Sequence, residues 1–179
     1  MYDTKYINQL KTRYQAAGKA RRELSDLSNQ AQAAAKQAIF TAQRGILNEA
    51  QNLITTAEKF LRDGQALCNR VEDISTAGVY RAALEEFVEA KLFVDFLKTG
   101  KIGKINKFNL SPETYFGGLS DFVGELVRYA TRLATVGKGS QVASVVTVAT
   151  AIVGELAALN ATGPLRSKYD QSQQHLRKL

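Results

Sequence analysis

Proline is nearly absent from this chain: Pro112 and Pro164 are the only two in 179 residues. Because proline breaks the interior of helices, long stretches are free to be helical. Apolar residues recur with a helical period along most of the sequence, and no stretch alternates convincingly with the period of two that a strand needs. These patterns predict an all-α protein, an antiparallel helical bundle of six to seven helices with short connections, forming a single domain over residues 1–179.

Glycines indicate where the first helices end, because glycine readily adopts the left-handed conformation that follows a helix. The first helix, or two helices in line with a bend near Gly18, is expected to end at Gly45. The second helix runs to Leu67, with Gly64 either inside it or at a break.

Capping residues place the next boundaries. The third helix is expected to follow the cap candidates Ser75 and Thr76 and to stop before Gly100. A short basic loop then leads to the fourth helix, which has the strongest start signal in the chain. Ser111 is a favourable N-cap, and Pro112 stands at the first helical position, where its missing N–H costs nothing.

The fifth helix, from Ser140 to just before Gly163, has an unusual composition. Residues 142–159 are nearly all Ala, Val, Ser and Thr, interrupted by Glu155. A membrane span needs about 20 strongly apolar residues, which this weakly hydrophobic segment does not supply. We therefore expect a helix that is buried on most sides, at the centre of the bundle or at a subunit interface, and we expect no membrane partner. A sixth helix follows from Pro164.

Charge suggests the kind of partner. The net charge is +7, which favours a polyanion such as nucleic acid or an anionic membrane surface, although such a charge can also serve solubility alone. The single cysteine cannot form an intrachain disulfide, and the N-terminal residues do not read as a signal peptide. Both observations lead us to expect a cytoplasmic protein.

Four acidic residues are the candidate catalytic and metal-binding site. Glu86 and Glu89 are three apart in the third helix and therefore share a face. Asp121 and Glu125 are four apart in the fourth helix, again on one face. If these helices are antiparallel neighbours, the four carboxylates converge, and carboxylate oxygens are the ligands that Mg²⁺ and Mn²⁺ prefer. Such a site could activate water for attack on a phosphodiester.

An alternative remains open at this point: the same acids could be solvated or could form ion pairs. Acidic pairs at this spacing are common on helices, and basic residues lie nearby in both segments. The candidate ion-pair partners are Arg81, Lys91, Arg128 and Arg132. Histidine chemistry is set aside, because the only histidine, His175, lies near the C-terminal end and outside any metal-binding motif.

Two segments resemble a known family. Residues 115–128 read YFGGLSDFVGELVR and residues 85–90 read EEFVEA. In the order and spacing of their glycines, acids and aromatics they resemble the translin family, and within it the catalytic subunit type called translin-associated factor X. The compact chain is similar to the prokaryotic, chiefly archaeal, members of that family, which assemble with themselves.

The resemblance implies a function as well as a fold. Members of the family fold into about seven helices and assemble into hollow, barrel-like octamers. The factor-X type is a metal-dependent endoribonuclease of single-stranded RNA whose products carry 5′-phosphate and 3′-hydroxyl ends. The catalytic acids of that type fall on Glu86, Glu89 and Asp121, with Glu125 as the fourth, so the resemblance implies that these residues bind Mg²⁺ or Mn²⁺.

Binding of RNA phosphates requires cations spread over a surface. The candidates on the first helix, after the third helix and beyond Glu125 are Arg21, Arg22, Lys36, Arg44, Lys98, Lys101, Lys104, Arg128 and Arg132. The leading hypothesis is an endoribonuclease. The second is a non-catalytic oligomer that binds single-stranded RNA or DNA, and the third is a structural or membrane-surface protein built on residues 142–159.

Overall fold

The structure is a computed structural model that describes residues 2–71, 74 and 78–178. Within these ranges the chain forms six α-helices and no β-strand, which confirms the predicted all-α class. The helices are α1 (Thr4–Gln43), α2 (Leu47–Arg70), α3 (Gly78–Thr99), α4 (Pro112–Thr135), α5 (Gly139–Ala158) and α6 (Gly163–Leu176).

The glycine and capping signals place most helix ends correctly. α1 passes through Gly18 without a break and ends before Gly45, whose φ of 85° suits only glycine well. Gly64 lies inside α2. At the start of α4 the Ser111 side chain accepts a hydrogen bond from the Thr114 N–H at 3.1 Å, as the cap prediction requires. The cap candidates Ser75 and Thr76 lie outside the described residues.

Helices joined by short connections are antiparallel, but α3 and α4 are parallel. Glu85 in α3 lies against Gly117 near the start of α4, and Phe93, later in α3, packs its ring on Tyr129, later in α4, at 6.2 Å. The expectation that these two helices are antiparallel neighbours is therefore wrong. The physical reason is the connection 100–111, which is long enough to run back along α3 before α4 begins.

Side chains of this connection hold it against the bundle. Phe108 packs edge-on against Phe87 in the middle of α3, with 5.4 Å between ring centroids. Lys107 donates a hydrogen bond of 2.9 Å to the buried carboxylate of Glu58 on α2, which also pairs with Arg62. Burial opposes ionisation of Glu58, but the two basic partners outweigh it and lower its pKa. The returning segment thus fixes where α4 starts relative to α3.

α5 is the element that departs most from expectation. It packs on α4 and α6, yet only 28% of its most apolar window is buried. The expectation of a helix buried on most sides at the bundle centre is therefore wrong for the described chain. Its exposed face carries small residues, including Ala143, Thr147 and Ala151, and by length and composition alone α5 could also span a membrane.

Candidate active site

One cavity of about 390 Å³ gathers side chains from four helices. The contributing helices are α1, α3, α4 and α6. The lining residues are Lys36, Ile39, Phe40, Glu86, Glu89, Asp121, Gly124, Glu125, Arg128 and His175. All four acids that the sequence singled out therefore face a common space. Their assignment as catalytic and metal-binding residues stays a prediction, because position alone does not demonstrate a role.

The acids converge because α3 and α4 run side by side in the same direction. A helix advances about 5.4 Å per turn, so acids one turn apart on each helix form two neighbouring pairs across the seam. Glu86 and Glu89 supply one pair, and Asp121 and Glu125 supply the other. The spacing argument was correct about the shared faces, although it assumed the wrong direction for one helix.

Burial and mutual repulsion make this cavity unfavourable for negative charge. Desolvation by burial, together with the nearby carboxylates of Glu86, Asp121 and Glu125, raises the pKa of Glu89 to about 9. The pKa of Glu86 is also raised by burial, which the charge of Lys36 opposes. Glu89 is consequently protonated at neutral pH, because ionising it would place a negative charge in a buried site beside other carboxyl groups.

Three of the four acids have a basic partner. Lys36 Nζ lies 3.8 Å from Glu86 Oε2, and Arg128 forms an ion pair with Glu125. Asp121 pairs with Lys168, a residue of α6. Within the described ranges, Glu89 is the one acid of the set without an ion-pair partner.

The ion-pair alternative from the sequence is therefore correct in part. Of its candidate partners, Arg128 does bind one of the four acids. Arg81 lies 3.8 Å from Glu85 instead, and Lys91 pairs with Asp95 on its own helix. Arg132 is exposed and does not line the cavity.

The donor set fits a divalent cation in chemistry and in charge. Four carboxylates offer the oxygen atoms that Mg²⁺ and Mn²⁺ prefer, and positive charge would relieve the repulsion that raises the pKa of Glu89. As the side chains stand, however, no group of three or more His, Cys, Asp or Glu residues among those described is arranged to hold an ion. Ligation thus requires the acids to turn away from their basic partners.

Sequence reasoning missed three residues of this site. Lys168 and His175 come from α6, and Gln43 on α1 donates a hydrogen bond of 3.1 Å to Glu125 Oε2. His175 does lie near the C-terminal end, as expected, but it also lines the cavity, where its Nδ1 would lie only 2.9 Å from a Cβ on Gly124. The available signal was the helical spacing of 168 and 175, which are two turns apart on one face.

Only two of the nine predicted RNA-binding cations, Lys36 and Arg128, line the cavity. Arg21 and Arg22 lie on the same helix about 22 Å before Lys36, at 1.5 Å per residue. Lys98 donates to the Gln51 side chain on α2 at 3.4 Å. The remaining four are exposed and do not line the cavity: Arg44, Lys101, Lys104 and Arg132. Any contact that these seven make with RNA would involve other parts of the strand, and it stays a prediction.

Comparisons with known proteins identify solved structures that have a similar fold. The solved structure of apo-NeC3PO superimposes with a TM-score of 0.88 at 18% identity, covering 99% of this chain and 94% of that one. AfC3PO, solved by itself and in complex with duplex RNA, gives a TM-score of 0.88 in both cases, at 22% and 21% identity. These two matches cover 97% of this chain and 92% of each AfC3PO chain.

At such identities the structural likeness shows a common fold. The search of curated proteins gives no match. The sequence model of the translin family matches residues 19–179, which is nearly the whole chain. The chain therefore belongs to the translin family.

Proposed function

We propose that this protein is a metal-dependent endoribonuclease that cleaves single-stranded RNA, and that it is of the catalytic, factor-X type within its family. The observation that supports this proposal is the single cavity lined by Glu86, Glu89, Asp121 and Glu125. Burial of Glu89, together with the crowding of its acidic neighbours, raises its pKa to about 9. Such crowding is costly in an isolated protein and is relieved by a cation.

The residues of the cavity have different proposed roles. Bound Mg²⁺ or Mn²⁺ would supply Lewis-acid activation of water and of the phosphoryl group. Glu86, Glu89 and Asp121 would supply oxygen donors to the ion, and Glu125 would complete the set or orient water. Glu89 would bind the ion as a carboxylate, without the proton that burial favours. Lys36 and Arg128, at 57% and 69% side-chain exposure, stand at the rim, where they could hold a phosphate of the substrate.

The direct test is to incubate the purified protein with end-labelled single-stranded RNA in Mg²⁺, in Mn²⁺ and in chelator. We expect internal cleavage in both metals and none in chelator, with 5′-phosphate and 3′-hydroxyl product ends. A DNA strand of the same sequence and a fully paired RNA serve as substrate controls. Retention of the RNA without cleavage in either metal would contradict the proposal.

The second candidate is a non-catalytic oligomer that binds single-stranded RNA or DNA. What favours it is the net charge of +7 and the exposed basic residues of α1 outside the cavity. Phosphate binding by such a surface releases counterions, so the affinity should fall steeply with salt. A salt-sensitive binding isotherm together with no cleavage in Mn²⁺ would support this candidate over the nuclease.

We also propose that the protein assembles with itself, by family resemblance as an octamer. The support within this chain is unpartnered apolar surface on α5 and on the N-terminal part of α1, where nothing before Ala17 is buried. Tyr6 and Tyr14 are 56% and 73% exposed on that projecting part. Exposed apolar residues grouped on one surface are typical of an interaction site.

Replacing Ala151 by arginine is expected to reduce the oligomer to smaller species. Ala151 lies on the exposed face of α5, where a guanidinium would have to be buried if another subunit packed there. Multi-angle light scattering measures the mass, and Ala82→Arg on the exposed side of α3 is the matched control. An unchanged mass for Ala151→Arg would exclude this face of α5 as a subunit contact.

A further inference from the structure

The inner face of α6 carries a row of polar residues beside the apolar Tyr169 and Leu176, which pack against the core. Lys168, Ser172 and His175 follow one another at the i, i+4 and i+7 spacing and all face α4. Ser172 is the only buried residue of this fully described helix, and its hydroxyl donates to the Ser120 carbonyl at 3.0 Å. α6 is therefore held beside the acidic cavity by an ion pair and hydrogen bonds as well as by apolar packing.

Lys168 is the most enclosed of the basic residues that pair with the four acids. Its side chain is 27% exposed, against 57% for Lys36 and 69% for Arg128. Solvent and salt screen an enclosed pair less than an exposed one. The carboxylates of Asp121 and Glu85 both lie against its ammonium group and stabilise the positive charge.

Lys168 has two acidic partners, and only one of them belongs to the proposed metal site. Its Nζ pairs with Asp121 inside the cavity and lies 3.1 Å from Glu85 Oε2 on the other side. Gly117 leaves the room that the Glu85 carboxylate occupies, since a Cβ there would lie 3.0 Å from Glu85 Cδ. Glu85 thus provides a second carboxylate with which the Lys168 ammonium group can pair.

We propose that Lys168 is a resident counter-cation that competes with a divalent metal ion for Asp121 and withdraws toward Glu85 when the ion binds. Lys168 is then a positioning residue that sets how tightly the cavity binds metal. The inference rests on the proposed function, which requires a metal at these acids. Its physical basis is that an ammonium group and a divalent ion cannot share one carboxylate without strong mutual repulsion.

The proposal predicts changes of opposite sign at two neighbouring residues. Lys168→Met keeps the length of the side chain but removes the competing charge, so it should tighten Mn²⁺ binding roughly tenfold, a typical coupling between interacting sites. Glu85→Gln removes the alternative partner and leaves Lys168 on Asp121, so it should weaken Mn²⁺ binding several-fold. In the double variant the Glu85 substitution should have little further effect, because its partner is gone.

Isothermal titration calorimetry with MnCl₂ and no RNA measures these affinities. Lys91→Met is the matched control, because Lys91 is similarly enclosed, at 21% side-chain exposure, but pairs with Asp95 on its own helix. Lys168→Arg keeps the charge and should stay close to the wild type. Since His175 is the only histidine, its imidazole NMR signals report without ambiguity whether α6 remains docked in each variant.

The outcomes separate this inference from the proposed function. Equal or weaker binding by Lys168→Met, with His175 signals unchanged, would overturn the competition. A Glu85→Gln effect that persists in full in the double variant would overturn the role of Glu85 as the second position. If the Mn²⁺ affinities change as predicted but no RNA is cleaved, the result would support the inference and contradict the proposed nuclease function. No Mn²⁺ binding by any of these proteins would overturn both.

Discussion

Replacing Glu89 by glutamine is expected to reduce metal-dependent RNA cleavage by roughly a thousandfold, the scale of losing a key charge-stabilising group. Glu89 lies in the cavity with the other three acids and is the one without an ion-pair partner among the described residues. A cation could therefore bind it without displacing a basic side chain, although Glu89 must first lose the proton that burial favours. An amide keeps the shape of the side chain but carries no charge and offers one oxygen in place of two.

The cleavage rate at saturating Mn²⁺ measures the loss, and three controls define it. Far-UV circular dichroism should be unchanged, and so should the affinity for single-stranded RNA in chelator. Glu49→Gln, an exposed glutamate in the first turn of α2, should cleave at the wild-type rate. If Glu89→Gln cleaves as fast as the wild type, the carboxylate cavity is not the active site.

The same substitution should stabilise the fold, and the pH dependence has a definite sign. Glu89 has a folded-state pKa of about 9 against 4.5 for the free side chain, so the folded protein holds a proton that the unfolded chain releases. The wild type therefore loses stability as pH rises from about 4.5 toward 9. Glutamine does not titrate, so the melting temperature of the variant should exceed that of the wild type by a margin that grows over this range.

The location of the acids could be predicted from sequence because it depends on local geometry. Residues three or four apart on a helix share a face whatever the helix packs against, and this places Glu86 with Glu89 and Asp121 with Glu125. The direction of α4 relative to α3 could not be predicted in this way. It is fixed by contacts between distant residues, such as Phe108 with Phe87, which no local pattern reveals.

The basic residues beside the cavity could not be predicted from the sequence for a related reason. Lys168 and His175 belong to a helix whose apolar residues Tyr169 and Leu176 indicate the core side, but nothing in the sequence shows that the neighbouring lysine and histidine face an acidic cavity. Their approach to Asp121 and Gly124 depends on how α6 returns after α5. The sequence shows clearly that the segment is helical. It does not distinguish a polar helix face that packs on a charged site from a polar face that is exposed to solvent.

Gly118→Ala is expected to cause the largest loss of stability among single-atom changes in the bundle. A Cβ at Gly118 would lie 2.6 Å from the Glu85 carbonyl oxygen and 2.6 Å from the Cβ of Val88. Neither atom can move by a side-chain rotation. The Glu85 oxygen belongs to the backbone of α3, and the Val88 Cβ is bonded directly to that backbone in a fully buried residue. The two helices must separate, and overpacking of this kind costs about 3 kcal/mol or more.

Gly18→Ala makes the same chemical change where no atom lies within 4 Å, so it isolates the packing effect. Alanine favours a helix over glycine by about 1 kcal/mol, so Gly18→Ala should raise the free energy of unfolding in urea while Gly118→Ala lowers it. Cleavage by the folded fraction of Gly118→Ala should fall as well, because Gly118 lies one turn before Asp121 on α4 and opposite Glu85 on α3. Wild-type stability and rate in Gly118→Ala would mean that the close approach of α3 and α4 does not position the acids.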